Sequence, residues 1–370
     1  MFLKRVKKKI LVALSGGVDS SVAAYLLKKQ GHDVYGGFIR GFNVDGCQDK
    51  DAEDARLVAE KLGMPFYVFD FEKEYEQKVV RYLLDGYKNG ITPNPDVVCN
   101  TEIKFGLLYD AAMRLGVDAV ASGHYARLCY KFRISNFEFR KKERKDVYVC
   151  AAKDTNKDQT YFLWNIPRQK FEHIMFPLGN LLKPEVRSIA ARAGLHTAHK
   201  KDSQGICFLG KFNFAEFLKE HIPMEPGEVV DTAGNIIGTH EGAALFTIGQ
   251  RHGFANATGH ELFVVAKDVV TNRIVVTSGD DPALMTREVS VGMLNFLDAS
   301  FEQRMKEKKE QEVLVRLRYR QPLRAAMMKM TSDNTALIHF AAEEKLFPAE
   351  GQSAVMYDRK GKVLGGGIIL

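Results

Sequence analysis

Residues 10–14, Ile-Leu-Val-Ala-Leu, run straight into Ser15-Gly16-Gly17-Val18-Asp19-Ser20-Ser21, and a helix-like stretch follows. No other segment restricts the fold so tightly. A short apolar strand feeding a Gly/Ser loop at the mouth of a helix presents backbone N–H groups and the positive helix end to an anion. Gly16 and Gly17 allow close backbone approach and dihedral angles that other residues avoid. Ser15, Ser20 and Ser21 add hydroxyl donors, and Asp19 can cap the helix or help hold a magnesium ion. A plain strand-to-helix turn needs no such density of Gly and Ser. The loop is not a Walker A sequence, because no Gly-Lys-Ser/Thr closes it, and it is not GxGxxG.

The surrounding pattern agrees with that start. Apolar runs at 10–14, 34–39, 66–69 and 119–122 alternate with amphipathic stretches at 20–30, 51–62, 72–84 and 100–115. This alternation predicts an α/β fold with an N-terminal parallel sheet and flanking helices. Gly31 and Gly63 stand where helix C-caps belong. Residues 130–148 read as an extended basic hairpin, with Phe132, Ile134, Phe137 and Phe139 alternating among Lys and Arg. Pro184 begins a helix that runs to residue 193. Beyond about residue 210 glycines punctuate short β-like runs, among them 288–291, 313–320, 336–340 and 353–358. They predict a small central β domain and a C-terminal β-barrel-like domain. Residues 301–311 read as a charged surface connector. At ~100–200 residues per domain, the 370 residues divide into units at 1–210, 211–284 and 285–370.

Hydrophobic residues make up 45% and charged residues 27% of the chain, which excludes collagen, coiled coil and wholesale disorder. No run approaches the ~18 apolar residues of a membrane helix. The apolar stretch behind the basic N-terminus is shorter than a signal-peptide core. A cytoplasmic protein with no membrane partner is expected. The net charge of +7 permits a polyanionic partner without establishing one.

Five cysteines occur, Cys47, Cys99, Cys129, Cys150 and Cys207, with no CxxC or Cys/His spacing. A disulfide framework and a zinc site are poorly supported. Cys129 and Cys150 fall on β-like runs flanking the basic hairpin and read as small hydrophobes. Cys47 lies in an Asn/Asp/Gly loop and receives no role. Cys99 follows Thr92-Pro93-Asn94-Pro95-Asp96-Val97-Val98 just ahead of a helix, a position that can lower a thiol pKa. Asp96, three residues away, is placed to act as a base. Cys207 lies in the polar loop Asp202-Ser203-Gln204-Gly205-Ile206-Cys207-Phe208. Arg316, Arg318 and Arg320 alternate on one expected strand, so all three should share a face suited to phosphate. His124 reads equally well as a buried, satisfied histidine or as a functional one.

The phosphate loop resembles the SGGxDS loop of the N-type ATP pyrophosphatases, in which it grips the pyrophosphate of ATP while the α-phosphate is attacked. Members differ in their nucleophile: ammonia, aspartate, or sulfur carried on cysteine. SGGVDSS, TPNPDVVCN, SGHYAR (122–127), KDQTYFL (157–163) and DSQGICF (202–208) occur in the order found in the tRNA-specific 2-thiouridylases, and the resemblance continues through FTIGQRHG (246–253), RLRYRQ (316–321) and EGQSAV (350–355). It covers essentially the whole chain and implies an ATP-dependent tRNA sulfurtransferase with an adenine nucleotide hydrolase-like first domain. By that resemblance Ala13, Leu14, Ser15, Gly16, Gly17, Val18, Asp19, Ser20, Ile39 and Gly123 bind ATP, with Mg2+ alongside. Asn94, Pro95 and Asp96 receive the target uracil. Cys207 carries a persulfide and Cys99 is its partner, the two joining in a disulfide after transfer. His124, Lys157, Asp158, Gln159, Arg318, Tyr319 and Gln352 contact tRNA. Ile39 stands where many members have methionine. The implied partners are tRNA and a persulfide donor protein, either a cysteine desulfurase or a sulfur-relay protein, and the implied state is a monomer. A non-catalytic RNA-binding protein and an ammonia-using synthetase are the alternatives; intact SGGVDSS and Asp96 argue against the first, and two loop cysteines against both.

Overall fold

The structure is a computed structural model that describes residues 6–42, 46–133, 144–202, 214–256, 259–308 and 310–370. Strand β1 (Lys9–Ala13) leads into helix α1 (Val18–Lys29), strand β2 (Asp33–Arg40), helix α2 (Cys47–Lys61) and strand β3 (Phe66–Asp70). Helix α3 (Glu72–Tyr75) continues through a wide turn at Glu76–Val80 into α4 (Arg81–Lys88). Helix α5 (Pro95–Val98) continues in the same way through Cys99–Leu108 into α6 (Tyr109–Arg114). Strand β4 (Ala119–Ala121), the hairpin strands β5 (Arg127–Arg133) and β6 (Arg144–Cys150), the short β7 (Ile174–Met175) and helix α7 (Lys183–Arg192) complete this part.

The first sheet runs β3-β2-β1-β4-β7 and every pairing is parallel. Its central strand explains why. Ile10 and Val12 bury against Ala24, Leu27, Ala55 and Val58 of α1 and α2, while Leu11 buries with Tyr75, Val79 and Ile103 on the other side. With both faces covered, the strand reads as a continuous apolar run rather than an alternating one.

Downstream of α8 (Phe214–His221), strands β8 (Gly227–Val230), β9 (Ile236–His240), β10 (Phe254–Asn256), β11 (Leu262–Asp268) and β12 (Arg273–Ser278) form a sheet in the order β10-β9-β8-β12-β11. Then β13 (Thr286–Phe296), helix α9 (Ala299–Lys308), β14 (Glu310–Arg316), β15 (Arg324–Met330), β16 (Thr335–Glu344), β17 (Ser353–Tyr357) and β18 (Val363–Ile369) follow. The strands close into a barrel, β13-β16-β15-β14-β17-β18. Closure removes the open edges that a sheet of this size would otherwise expose.

Two expectations change here. Residues 301–311 are not a surface connector: α9 buries Phe301 and Met305 in the barrel core, and Asp298 accepts from the N–H of Ser300 at 2.8 Å and of Phe301 at 3.1 Å. The charges seen in the sequence occupy its outer face. Cys129 and Cys150, read as separate small hydrophobes, form a disulfide across β5 and β6, with Cα atoms 6.2 Å apart. The hairpin register sets Cys129 opposite Tyr148 and Cys150 opposite Arg127, so the two lie diagonally on neighbouring strands. A separation of 21 residues gave no hint of that register.

The barrel is fastened to the α/β part by buried polar groups. Trp164 Nε1 donates to Ser353 Oγ at 3.0 Å, and the Tyr161 hydroxyl donates to the Ser353 carbonyl at 2.9 Å. Val355, Tyr357 and Val363 of the barrel belong to the same apolar cluster as Leu11 and Ile103.

Candidate active site

The phosphate loop forms as its sequence predicts. Beyond Ala13, at the end of β1, the Leu14 N–H still pairs with the Gly37 carbonyl at 2.8 Å, and Gly17 is the N-cap of α1. Gly16 has φ +69°, and a Cβ on it would lie 2.2 Å from the Asp51 carbonyl oxygen, so no other residue fits without moving α2. The Ser15 N–H donates to Ser20 Oγ at 3.2 Å, and the Ser20 and Ser21 hydroxyls donate to the Gly17 carbonyl at 3.1 and 2.8 Å. Gly123, two residues beyond the end of β4, presses on this turn: a Cβ there would come within 2.6 Å of the Ser20 nitrogen. Val18 and Ile39 are buried in the apolar clusters on either side of the loop.

Asp19 lies in a charge network that the sequence did not display. Its carboxylate accepts from the Tyr125 hydroxyl at 2.8 Å and from Lys183 Nζ at 2.7 and 2.8 Å. Lys183 Nζ also reaches Asp202 Oδ1 at 2.8 Å, where Arg187 (2.6 Å) and, on the other oxygen, Lys157 (2.7 Å) converge. Burial opposes ionisation of Asp202, but the bonds from Lys157 and Lys183 outweigh it and hold the carboxyl down to about 2. Burial and the Asp19 charge push the Tyr125 hydroxyl far up, so it stays a donor. On the other flank Lys200 Nζ bonds to the Gly16 carbonyl at 3.0 Å, to Asp51 at 2.7 Å, and to Asp54. Three cations thus converge on Asp202 beside the loop, and one of them, Lys183, is shared with Asp19. Lys183, Lys200 and Tyr125 had no assigned part in the sequence reading. Lys183 stands 164 positions from Asp19, and only its place just before Pro184, at the start of α7, could have drawn attention.

Among the described residues no group of three or more His, Cys, Asp or Glu is arranged to hold a metal. Magnesium commonly keeps its waters and takes one or two carboxylates plus substrate phosphates. Asp19, whose oxygens are held by Tyr125 and Lys183, is the loop carboxylate that would serve such an ion.

The thiol side differs from expectation in one respect. The helix does not begin after Cys99 but at Pro95, which needs no N–H partner in a first turn. Asn94 is its N-cap and accepts from the Val97 N–H at 3.4 Å. Cys99 is therefore the fifth helical residue, at the start of the wide-turn segment, and is fully buried among Val97, Ile103 and Phe105. Asp96 is half-buried in the first turn. Cys207, with residues 203–213, lies outside the described residues, as does the tip of the basic hairpin, whose strands β5 and β6 pair antiparallel as predicted.

The residues expected at tRNA are engaged within the protein. His124 is buried between Phe105 and Phe176, and its Nδ1 is 2.8 Å from Ser122 Oγ. Burial, with Lys104 adding to it, drives its pKa well below the usual value, so its ring is neutral at pH 7. Lys157 pairs with Asp202. Asp158 is buried, accepting from the Ala152 N–H at 3.1 Å and the Thr160 hydroxyl at 2.9 Å, with Arg316 at 3.4 Å. Gln159 accepts from the Tyr125 N–H at 3.0 Å. Tyr319 packs on Phe162 with ring centroids 4.6 Å apart. Gln352 donates to the carbonyls of Thr92 and Pro93.

The expected arginine row does not exist. Strand β14 ends at Arg316, and residues 317–320 turn, with Arg320 at φ +64°. Arg316 faces Asp158 and Tyr357, Arg318 donates to the Ile248 carbonyl, and Arg320 is exposed beside the Tyr319 ring. Alternation along a strand cannot carry past the residue where the strand stops.

The fold and loop together define an α/β nucleotide-binding domain followed by two β modules. The chain matches family models described as a tRNA methyl transferase HUP domain over residues 8–211, a tRNA methyl transferase PRC-barrel domain over 215–278 and an aminomethyltransferase beta-barrel domain over 287–369. It is 41% identical to tRNA-specific 2-thiouridylase MnmA 1 of Geobacillus kaustophilus, over 95% of this chain and 93% of that protein. It is also 41% identical to the tRNA-specific 2-thiouridylase MnmA proteins of Streptococcus thermophilus and Listeria welshimeri, over 98% of this chain and 95% and 94% of theirs. The chain belongs to the tRNA-specific 2-thiouridylase family.

Proposed function

We propose that this protein is an ATP-dependent tRNA sulfurtransferase that converts the wobble uridine of tRNA to 2-thiouridine. The observation that carries the reading is the phosphate loop, where Gly16 is forced against α2 and Lys183 stands over Asp19. Such a loop suits release of pyrophosphate from ATP, a step that sulfur transfer to an unactivated carbonyl requires. The uracil O2 is a poor leaving group. In the proposed sequence O2 attacks the α-phosphate of ATP while Asp96 takes the N3 proton, and pyrophosphate leaves. The terminal sulfur of a Cys207 persulfide then attacks C2 and AMP departs, leaving a C2–S–S–Cys207 link. The Cys99 thiolate attacks the Cys207 sulfur, which frees the thiocarbonyl and forms a Cys99–Cys207 disulfide. An external thiol reduces that disulfide before the next turnover, and a persulfide donor protein reloads Cys207.

In this scheme residues 13–20, Ile39 and Gly123 hold ATP, Mg2+ arrives with the phosphates at Asp19, and Asn94, Pro95 and Asp96 receive the base. Of the residues to which the resemblance gives tRNA contact, Lys157, Gln159, Arg318 and Tyr319 line the seam on which tRNA docks, and the buried His124 and Asp158, with Gln352, support it from behind. We further propose units at 1–210, 211–284 and 285–370, a monomeric state and a cytoplasmic site of action. Among the described residues no helix is long and apolar enough to cross a membrane.

The test is mass spectrometry of nucleosides from tRNA incubated with the protein, ATP, Mg2+ and a persulfide donor. Formation of 2-thiouridine with the wild type but not with Asp19→Ala is the expected result. Pyrophosphate release without any thiolated nucleoside would overturn it. With labelled persulfide donor, Cys99→Ser should still accept label at Cys207 and Cys207→Ser should not; label on Cys99 alone reverses the two roles.

A further inference from the structure

Residues 91–94 are where the three parts of the chain meet. The Thr92 N–H donates to the Glu350 carbonyl at 2.9 Å, and Thr92 Oγ1 lies 3.3 Å from Thr247 Oγ1 of the middle module. Gln352 Nε2 donates to the Thr92 carbonyl at 3.0 Å and to the Pro93 carbonyl at 3.2 Å, across 260 and 259 positions of chain. Gly351 has φ +84°, and a Cβ on it would sit 2.2 Å from Ile91 Cγ2. The barrel loop and the 91–94 loop are therefore fitted together with no room for a side chain between them.

The chemistry of the loop limits its other fastenings. Pro93 and Pro95 have no N–H to donate, and the remaining bonds of the segment, Ile91 N–H to the Gly86 carbonyl at 2.9 Å and Asn94 N–H to the Tyr82 hydroxyl at 3.4 Å, leave the Thr92 and Pro93 carbonyls to the barrel. The Thr92 and Pro93 carbonyls precede the first helical turn and have no intrahelical donor. One primary amide with two N–H donors serves both. The next residues are Asn94, the helix cap, and then Pro95 and Asp96.

We propose that Gln352 is a positioning residue: acting from the barrel with Gly351, it fixes the Asn94-Pro95-Asp96 segment in the geometry that the base-activation step needs. The inference rests on the function proposed above, and it differs from the contact with tRNA that the family resemblance implies for Gln352. A residue that only touched RNA would lower affinity. A residue that sets the segment lowers the chemical rate at saturating tRNA.

The discriminating variant is Gln352→Glu, which keeps the shape but replaces the two donors with acceptors facing two carbonyls. Gln352→Ala and Gly351→Ala accompany it, and Gln352→Asn keeps the amide on a shorter stem. The first readout needs neither ATP nor tRNA: hydrogen exchange of the peptide covering 92–99 in the free full-length protein. Gln352→Glu and Gln352→Ala should speed exchange there while the barrel strands β13 to β16 remain protected. The second is single-turnover thiolation at saturating tRNA beside the tRNA Kd. The rate should fall on the order of 10²-fold, as small misplacements of reacting groups do, with Kd nearly unchanged and Gln352→Asn recovering part of the loss. Wild-type exchange in the 92–99 peptide, or a full single-turnover rate with a raised Kd, overturns the proposal and leaves Gln352 as an RNA contact. Faster exchange in a protein whose wild type makes no 2-thiouridine would sustain the fastening but defeat the function on which its catalytic meaning rests.

Discussion

Replacing Asp158 by alanine separates a carboxylate that holds the fold together from one that meets RNA. The resemblance makes it a tRNA contact; in the structure its side chain is 3% exposed and its nearest cation, Arg316, is 13% exposed. Asp158→Ala would remove the acceptor for the Ala152 N–H and the Thr160 hydroxyl and strand the Arg316 charge inside the protein. Removing one partner of a buried ion pair costs about 3–5 kcal/mol. The pair is 3.4 Å apart, and Arg316 also lies 5.5 Å from the Tyr357 ring, so the lower end is expected. At about 2–4 °C per kcal/mol for a unit of this size, the thermal midpoint should fall by roughly 6–12 °C. Thermal and urea unfolding of Asp158→Ala, Arg316→Met and the double variant form the assay. The double variant should lose less than the sum of the singles, because an apolar replacement of both partners leaves no uncompensated charge. If Asp158→Ala keeps its midpoint within about 1 °C while its tRNA Kd rises, the side chain faces RNA and the burial argument is wrong.

Three further outcomes follow. Lys183→Met removes the cation shared by Asp19 and Asp202, and ATP affinity measured by calorimetry should fall about tenfold, the worth of one charge-assisted bond; unchanged affinity would make Lys183 a structural residue alone. Arg320→Gln should lower the salt slope of tRNA binding by about 0.7–0.9, whereas Arg316→Met and Arg318→Met should act first on the melting temperature; an unaltered slope assigns Arg320 to solvent. Burial, with Lys104 adding to it, holds the His124 pKa well below its ordinary value of about 6.5, so below pH 6.5 the unfolded chain takes up a proton that the folded one refuses. Stability is then complete above that pH and falls on acidification by up to about 1.4 kcal/mol per unit; His124→Asn should show a flatter loss between pH 6.5 and 5 in urea, and identical slopes would refute the assignment.

What could be read in advance was local. The strand, loop and helix that carry Ser15 to Ser21 are contiguous, so apolar patterning and Gly/Ser density sufficed for them, and Gly31 and Gly63 marked the ends of α1 and α2 as capping chemistry requires. Where patterning failed, a single residue's conformation or a distant partner had decided the matter. Arg320 adopts a left-handed φ and Gln321 Oε1 takes the Leu317 N–H at 3.2 Å, which ends the run that had aligned three arginines. Pro95 began a helix earlier than the apolar spacing of 100–115 suggested, because Asn94 could cap it. Lys183 finds Asp19 across 164 positions and Cys129 finds Cys150 across a hairpin, and neither pairing has a periodicity.

The seam residues reconcile a motif list that implies RNA contact with a structure that keeps the same side chains occupied. Lys157 and Gln159 sit between the phosphate-loop network and the Tyr125 backbone, Arg318 joins the turn after β14 to the middle module, and Gln352 joins the barrel to the 91–94 segment. Arg318 and Gln352 bond across a boundary between units, whereas Lys157 and Gln159 bond within the first unit. A closed barrel cannot open an edge to accommodate a ligand, so displacement is concentrated at its loops and at these bonds. A polyanion that docked along the seam would compete for the same donors. Lys157 would exchange Asp202 for phosphate, and Asp202 would be left to Lys183 and Arg187, drawing Lys183 from Asp19. By that exchange the charge at the phosphate loop would depend on what occupies the seam. ATP affinity should therefore differ between free and tRNA-bound protein, and the difference should vanish in Lys157→Met. Equal ATP affinities in both states would place the two sites in separate, uncoupled networks.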